Sequence, residues 1–284
     1  MIRSLFLVLA RLPLPLLHAL GFGLGWLVYG LSASYRQKMW DHAEVAFPGQ
    51  RARQRQAVWG SVAHAGQALF ELPFLWGRST REGAARVTEI TGWEHVEQAL
   101  SAGRGVIVLT PHLGSFESAA QIFSTREPIT VLYRPNRKAE VQSIIENSRA
   151  RDGVGLAPTN LSGVKILLKA LKRGQAVGLL PDQVPSNGEG VWAPMFGKPA
   201  YTMTLPGRLA NATGATVVLA LGYRKPWGQG FRLEISPGPQ SLSDDPVLAA
   251  TQVNAAMEQL ILRHPTQFYW GYERYKGPKQ GGNP

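Results

Sequence analysis

Residues 105 to 120 read GVIVLTPHLGSFESAA. Gly105 to Thr110 carry no charge and stop at Pro111, the pattern of a short strand buried on both faces. From Ser115 to Phe123 the apolar residues recur at helical spacing. Strand-type runs return at Ile129–Tyr133, Ala176–Leu180 and Thr216–Leu221, with an alternating polar run at Phe231–Ser236. Helical patterns lie between them at Glu140–Ala150, Ser162–Lys172 and Leu205–Ala212. Strands alternating with helices predict an α/β fold, a mainly parallel central sheet flanked by helices. The stretch from 184 to 204 is rich in Gly and Pro and reads as an ordered loop over the sheet edge.

Upstream, residues 36–81 read as helical, with Val58, Val62, Ala65, Leu69 and Leu72 in phase, and Gly92–Leu100 as a short helix. Before these, Leu12 to Leu31 is twenty residues in which His18 is the one side chain able to carry charge near neutral pH. A helix of that length spans about 30 Å, the hydrocarbon thickness of a bilayer. Arg3 and Arg11 precede it and Arg36 and Lys38 follow, so charge leaves its orientation open. The expected organisation is a membrane anchor over 1–35, a catalytic domain over 36–276 and a loose tail over 277–284. A cleaved signal peptide and a buried or interfacial helix are the competing readings of the N-terminus. The GxGxG spacing at 21–25 lies inside the apolar run and follows no strand, which excludes a dinucleotide loop.

The chain of 284 residues has a net charge of +11, concentrated in two regions. Residues 1–60 hold 7 basic and 2 acidic residues, and residues 134–173 hold 9 and 3. Such patches meet anionic partners: lipid headgroups, an acidic protein or nucleic acid. The basic segments lack interleaved aromatics and any nucleic-acid motif, which argues against the last. The absence of cysteine removes disulfides, zinc–thiolate sites and a thiol nucleophile. Neither HExxH nor GxSxG occurs, and Gly197-Lys198-Pro199 has proline where a phosphate loop needs Ser or Thr. No metal or cofactor is expected.

His112 falls two residues beyond the 105–110 strand, where sites gather in open α/β sheets. Glu117 follows five residues on. The two side chains meet if the histidine lies on the bend and the glutamate in the first helical turn, with Gly114 giving the bend its freedom and Ser115 as N-cap. A carboxylate on one ring nitrogen fixes the tautomer, and the other nitrogen is left to take a proton from a hydroxyl. A capping histidine beside an unrelated surface glutamate is the other reading.

TPHLGSFE at 110–117, YRP at 133–135, SRARDG at 148–153, GVKILLKALKRGQAVGLLPDQ at 163–183, FGKPA at 196–200 and RHPTQFYWGYERYK at 263–276 occur in that order. Together they resemble the late (lauroyl/myristoyl-type) acyltransferases of bacterial lipid A biosynthesis, within the lysophospholipid acyltransferase superfamily. The resemblance runs from the N-terminal anchor through Lys276. It implies transfer of a fatty acyl chain from acyl carrier protein to a hydroxyl of a lipid A precursor, at the cytoplasmic face of the inner membrane. His112 would be the general base and Glu117 its partner. Ser115-Phe116 stand where many members carry Asn-Trp, and Tyr272-Glu273 where His-Arg is common.

Acyl transfer from a thioester develops negative charge on the carbonyl oxygen, which N–H donors or an arginine stabilise. The candidates are the Gly114 and Ser115 amides, Arg149 and Arg151 of SRARDG, and Arg134 of YRP; a basic helix end in water is the bland reading of the arginines. Asp182 and Gln183 follow another strand end and match the family's DQ, as site organisers, acceptor ligands or loop caps. In the 163–174 segment Lys165, Lys169, Lys172 and Arg173 gather opposite the apolar face of Val164, Leu167, Leu168 and Leu171. That face suits docking of the acidic acyl carrier protein, with anionic lipid as the rival partner. Trp192, Met195, Phe196 and Tyr201 either line an acyl channel or pack in the core. Three functions follow: an O-acyltransferase, with a phospholipid or aminolipid as the alternative acceptor, a non-enzymatic lipid-binding membrane protein, and a hydrolase using water.

Overall fold

The computed structural model describes residues 2–135, 142 and 153–278. It opens with helices α1 (Ile2–Arg11), α2 (Leu14–Leu31), α3 (Ala33–Ala46), the long α4 (Arg51–Gly77) and the short α5 (Thr80–Ala84). The strands are β1 (Val87–Thr91), β2 (Val106–Leu109), β3 (Ile129–Tyr133), β4 (Val154–Pro158), β5 (Ala176–Leu179), β6 (Gly190–Met195), β7 (Lys198–Met203), β8 (Thr216–Arg224) and β9 (Phe231–Pro237). Between and after them run α6 (Trp93–Ser101), α7 (Phe116–Ser124), α8 (Leu161–Lys172), α9 (Leu205–Thr213) and α10 (Pro246–Arg263).

Seven strands make one sheet in the order β1-β9-β8-β2-β5-β3-β4. Every pairing is parallel except β8 with β9. The expected α/β class is therefore the observed one. All four residues of β2 and of β5 are buried, as the uninterrupted apolar runs required. Their side chains alternate between two cores. Ile107, Leu109, Val177 and Leu179 face the core that takes in α8 and α10, while Val106, Val108 and Ala176 face that of α6 and α7. Truncating one of the buried leucines to Ala costs about 2–5 kcal/mol in such a setting.

Capping residues fix where the helices start. Asn160 accepts from Gly163 N at 3.0 Å to open α8. Asp245 accepts from Val247 and Leu248 N at 2.9 and 2.8 Å, with Pro246 as the first residue of α10.

The stretch expected as a loop holds the β6–β7 hairpin. Pro194 and Pro199 sit opposite each other in it, and prolines hide a strand from pattern reading. Phe196 and Gly197, both at positive φ, form its two-residue turn. The half-exposed edge strand β1, the Gly- and Pro-containing β4, and α10 also escaped the pattern. The helix expected over 140–150 lies, apart from residue 142, outside the described residues.

Among the described residues α2 is the one helix long and apolar enough to cross a membrane. One of its faces is packed on α4. A Cβ added to Gly66 of α4 would lie 2.0 Å from Gly21 O, and one added to Gly25 2.2 Å from Val62 O. Those glycines let two helix backbones touch. The opposite face of α2 turns Leu16, Leu20, Phe22, Leu27 and Leu31 outward.

Candidate active site

Strands β2 and β5 are parallel neighbours, with Leu109 opposite Leu179. Each continues through a proline to a polar residue, Thr110-Pro111-His112 beside Leu180-Pro181-Asp182. The shared register puts His112 next to Asp182. Asp182 Oδ1 lies 2.8 Å from His112 Nδ1, and Oδ2 accepts from the His112 backbone N–H at 2.7 Å. Burial alone would raise the Asp182 carboxyl, but the charge and hydrogen bonds of His112, with Arg274 nearby, hold it below the ordinary carboxylate range. An ionised carboxylate only accepts, so Nδ1 carries the proton, and in the neutral ring Nε2 presents its lone pair. Gln183 Nε2 stands 3.0 Å from that lone pair. The His112 side chain is 18% exposed against 3% for Asp182: the imidazole is reachable and its partner is not. Tyr272 Oη accepts from Val184 N at 2.9 Å and steadies the turn that carries Asp182 and Gln183.

Three expectations are corrected by this geometry. The acid on the His112 ring is Asp182, not Glu117, whose Oε2 accepts from Trp76 Nε1 at 3.1 Å. The bend carries the imidazole back toward the sheet end, while Glu117 rides α7 toward α4. The Gly114 and Ser115 amides are also committed elsewhere, to Gln267 O at 3.0 Å and Gly222 O at 2.6 Å, so neither is offered to an oxyanion. Ser115 precedes α7 without capping it; its buried Oγ has no partner among the described residues. Gly114 does occupy the left-handed region that the bend requires, at φ +63°.

A cleft of about 650 Å³ opens at His112. Glu117, Gln183 and Arg134 reach it, among apolar side chains that include Phe116, Val131, Leu161, Val164, Leu180 and Leu205. A smaller cavity of about 240 Å³ meets His112 from the side of α4. Lys165, Lys169 and Lys172 are exposed on α8 and Arg173 at its C-cap, and Leu161 and Val164 of the helix line the larger cleft. Of the proposed channel residues, Met195 and Tyr201 are buried in the core while Trp192 is half exposed. Arg149 and Arg151 lie outside the described residues. Among those residues no cluster of three or more His, Asp or Glu side chains is placed to hold a metal ion.

Sequence reading missed a second group of buried polar residues: Glu71, Arg224 and Gln267. Arg224 is 1% exposed and forks onto the Glu71 carboxylate, with Nη2 to Oε2 at 2.8 Å. Burial pushes the Glu71 carboxyl up, but the charge of Arg224 and hydrogen bonds from His18 and Arg224 outweigh it, to about 2. No local signal marks these residues, because they come from α4, β8 and the segment after α10.

The arrangement of a carboxylate, an imidazole with one nitrogen open, and an apolar cleft is general-base equipment for a substrate with a long hydrocarbon part. Comparison with known proteins identifies a family of acyltransferases. The model of the bacterial lipid A biosynthesis acyltransferases matches residues 2–277. The lipid A biosynthesis lauroyltransferase of Escherichia coli K12 is 30% identical over 277 residues, 96% of this chain and 90% of the relative. The lipid A biosynthesis palmitoleoyltransferase of the same strain is 26% identical over 269 residues, 94% and 87% of the two chains. A phosphatidylinositol mannoside acyltransferase of Mycobacterium tuberculosis H37Rv is 28% identical over 209 residues, 71% and 63% of the two chains. The chain belongs to the bacterial lipid A biosynthesis acyltransferase family, and is an acyltransferase with a lipid acceptor.

Proposed function

We propose that this enzyme moves a fatty acyl chain from acyl carrier protein to a hydroxyl of a lipid A precursor, with His112 as general base and Asp182 as its orienting acid. The observation that carries the reading is the Asp182–His112 pair at the mouth of the 650 Å³ apolar cleft. The acceptor hydroxyl displaces the Gln183 amide from Nε2 and gives its proton to that nitrogen. Its oxygen attacks the thioester carbonyl carbon. The Gln183 N–H groups, released from Nε2, are donors for the developing oxyanion. The C–S bond then breaks, the thiolate takes the proton back from His112, and an ester remains. The exposed basic face of α8 supports an acidic protein donor. Arg134 at the cleft wall suits a phosphate of donor or acceptor. The outward apolar side chains of α2 support anchoring in the inner membrane, with the catalytic part on the cytoplasmic side, where acyl carrier protein is found.

The test uses purified membranes, labelled acyl carrier protein and a panel of lipids. Wild type is expected to label lipid, and His112→Ala to do so roughly 10²–10⁴-fold more slowly. Free fatty acid alone means a hydrolase, and lipid bound without turnover means a scaffold. Phospholipid acceptors belong in the panel because of the likeness to the mannoside acyltransferase.

A further inference from the structure

One peptide unit in the bend after His112 is held by strand β8 at both ends. The Ser115 N–H donates to Gly222 O at 2.6 Å, and the Gly114 carbonyl accepts from Arg224 Nη2 at 3.0 Å. A Cβ on Gly114 would lie 2.4 Å from Gly222 O, so the bend is drawn tight onto the strand. Arg224 Nη1 also donates to His64 Nδ1 at 3.0 Å, while its other nitrogens take Glu71. Glu71 in turn accepts from His18 Nε2 at 2.6 Å, and His18 belongs to α2. A line of buried hydrogen bonds thus runs from the apolar N-terminal helix, through α4 and β8, to a carbonyl two residues from His112.

Helix packing alone does not call for this arrangement. Apolar side chains of similar size would hold α2, α4 and β8 together at least as well as a buried ion pair. What they would not do is seize the Gly114 carbonyl. A guanidinium presents its donors in a flat fork and serves Glu71, His64 and Gly114 at once; an ammonium on a flexible stem does not. The carbonyl has reason to be seized. Gly114 lines the smaller cavity alongside His112, and glycine resists rotation of its peptide only weakly. Released, the Gly114–Ser115 unit is free to turn its oxygen toward the base.

We infer that Arg224 is a positioning residue for the reaction: it locks the Gly114–Ser115 peptide and so the aim of His112, and Glu71 and His18 tie that lock to α2. The seating of the apolar helix then sets the geometry of the base. The catalytic part of this inference rests on His112 being the base; the lock does not.

The experiment takes the full chain in dodecyl maltoside and measures hydrogen exchange over residues 110–118 alongside acyl transfer. In Arg224→Lys, exchange in that segment is expected to rise roughly tenfold while the central strands keep wild-type protection. The kcat is expected to fall about 10- to 100-fold with both KM values near wild type. His18→Leu should move both readouts the same way, less far. Wild-type exchange in the bend of Arg224→Lys overturns the lock. Raised exchange with unchanged kcat overturns its link to the base. If Arg224→Lys fails to fold, Arg224→Gly with added methylguanidinium replaces it: restored turnover supports the lock, and no restoration in a folded variant overturns it.

Discussion

Pro111 and Pro181 end two neighbouring strands at matched heights, and the residues after them, His112 and Asp182, meet at 2.8 Å. Asp182→Asn keeps the shape and reverses the hydrogen bond: an amide N–H then points at a nitrogen that must itself donate. Turnover is expected to fall roughly 10²–10⁴-fold. The Nδ1 resonance of His112 in ¹⁵N-histidine spectra is expected to move as well. Glu117→Gln, which changes no group on the ring, should leave that resonance in place whatever it does to the rate; a moved Nδ1 signal would restore Glu117 as the orienting acid. Both carboxylates were visible as candidates in the sequence. Spacing favoured Glu117 because it is near along the chain, whereas Asp182 is near only across the sheet. The matching Leu-x-Pro steps before His112 and Asp182 were the available clue, and reading it needs the knowledge that β2 and β5 are adjacent.

Helix α8 shows what amphipathic spacing can and cannot say. Leu167 and Leu171 are fully buried and the four basic residues exposed, as their periodicity required. Reversing Lys165, Lys169 and Lys172 to Glu is expected to raise KM for the acyl carrier donor about tenfold or more, since opposed charge costs encounter rate and affinity together. The kcat and the KM for lipid should stay within about twofold. An unchanged donor KM in steady-state kinetics removes α8 as the docking face. The same periodicity could not report that this helix flanks the large cleft. In α2 the GxGxG spacing showed only that no dinucleotide loop is present, yet Gly21 and Gly25 are contact points for α4. Gly23 and Gly30, which face open space, fit the lipid reading.

At the scale of the whole molecule, the buried group around Arg224 makes stability depend on pH. Burial first, then the charge of Arg224, lowers the His64 pKa to about 3 from an ordinary 6.5. Between those values the unfolded chain binds a proton that the folded chain refuses, so stability falls as pH is lowered, by about 1.4 kcal/mol per pH unit at most for one proton. Below 4.5 Glu71 adds to the loss in the same direction, since its folded carboxyl stays ionised to about 2. Urea melts of wild type and His64→Gln across pH 4.5–6.5 check this. The wild-type slope is expected to flatten in the variant, and parallel slopes would refute the claim that His64 stays unprotonated in the fold.

The alternation of central strands with helices, the apolar N-terminal helix, the catalytic histidine candidate, the basic face of α8 and the family itself were determined by the sequence, because each is written in neighbouring residues or in an ordered set of motifs. The partner of His112, the fate of the Gly114 and Ser115 amides and the Arg224–Glu71–His18 line were decided only in the tertiary structure. These depend on which strands lie side by side and on which polar groups are buried together. Burial is what makes such pairings compulsory, and it acts between residues that the chain keeps far apart.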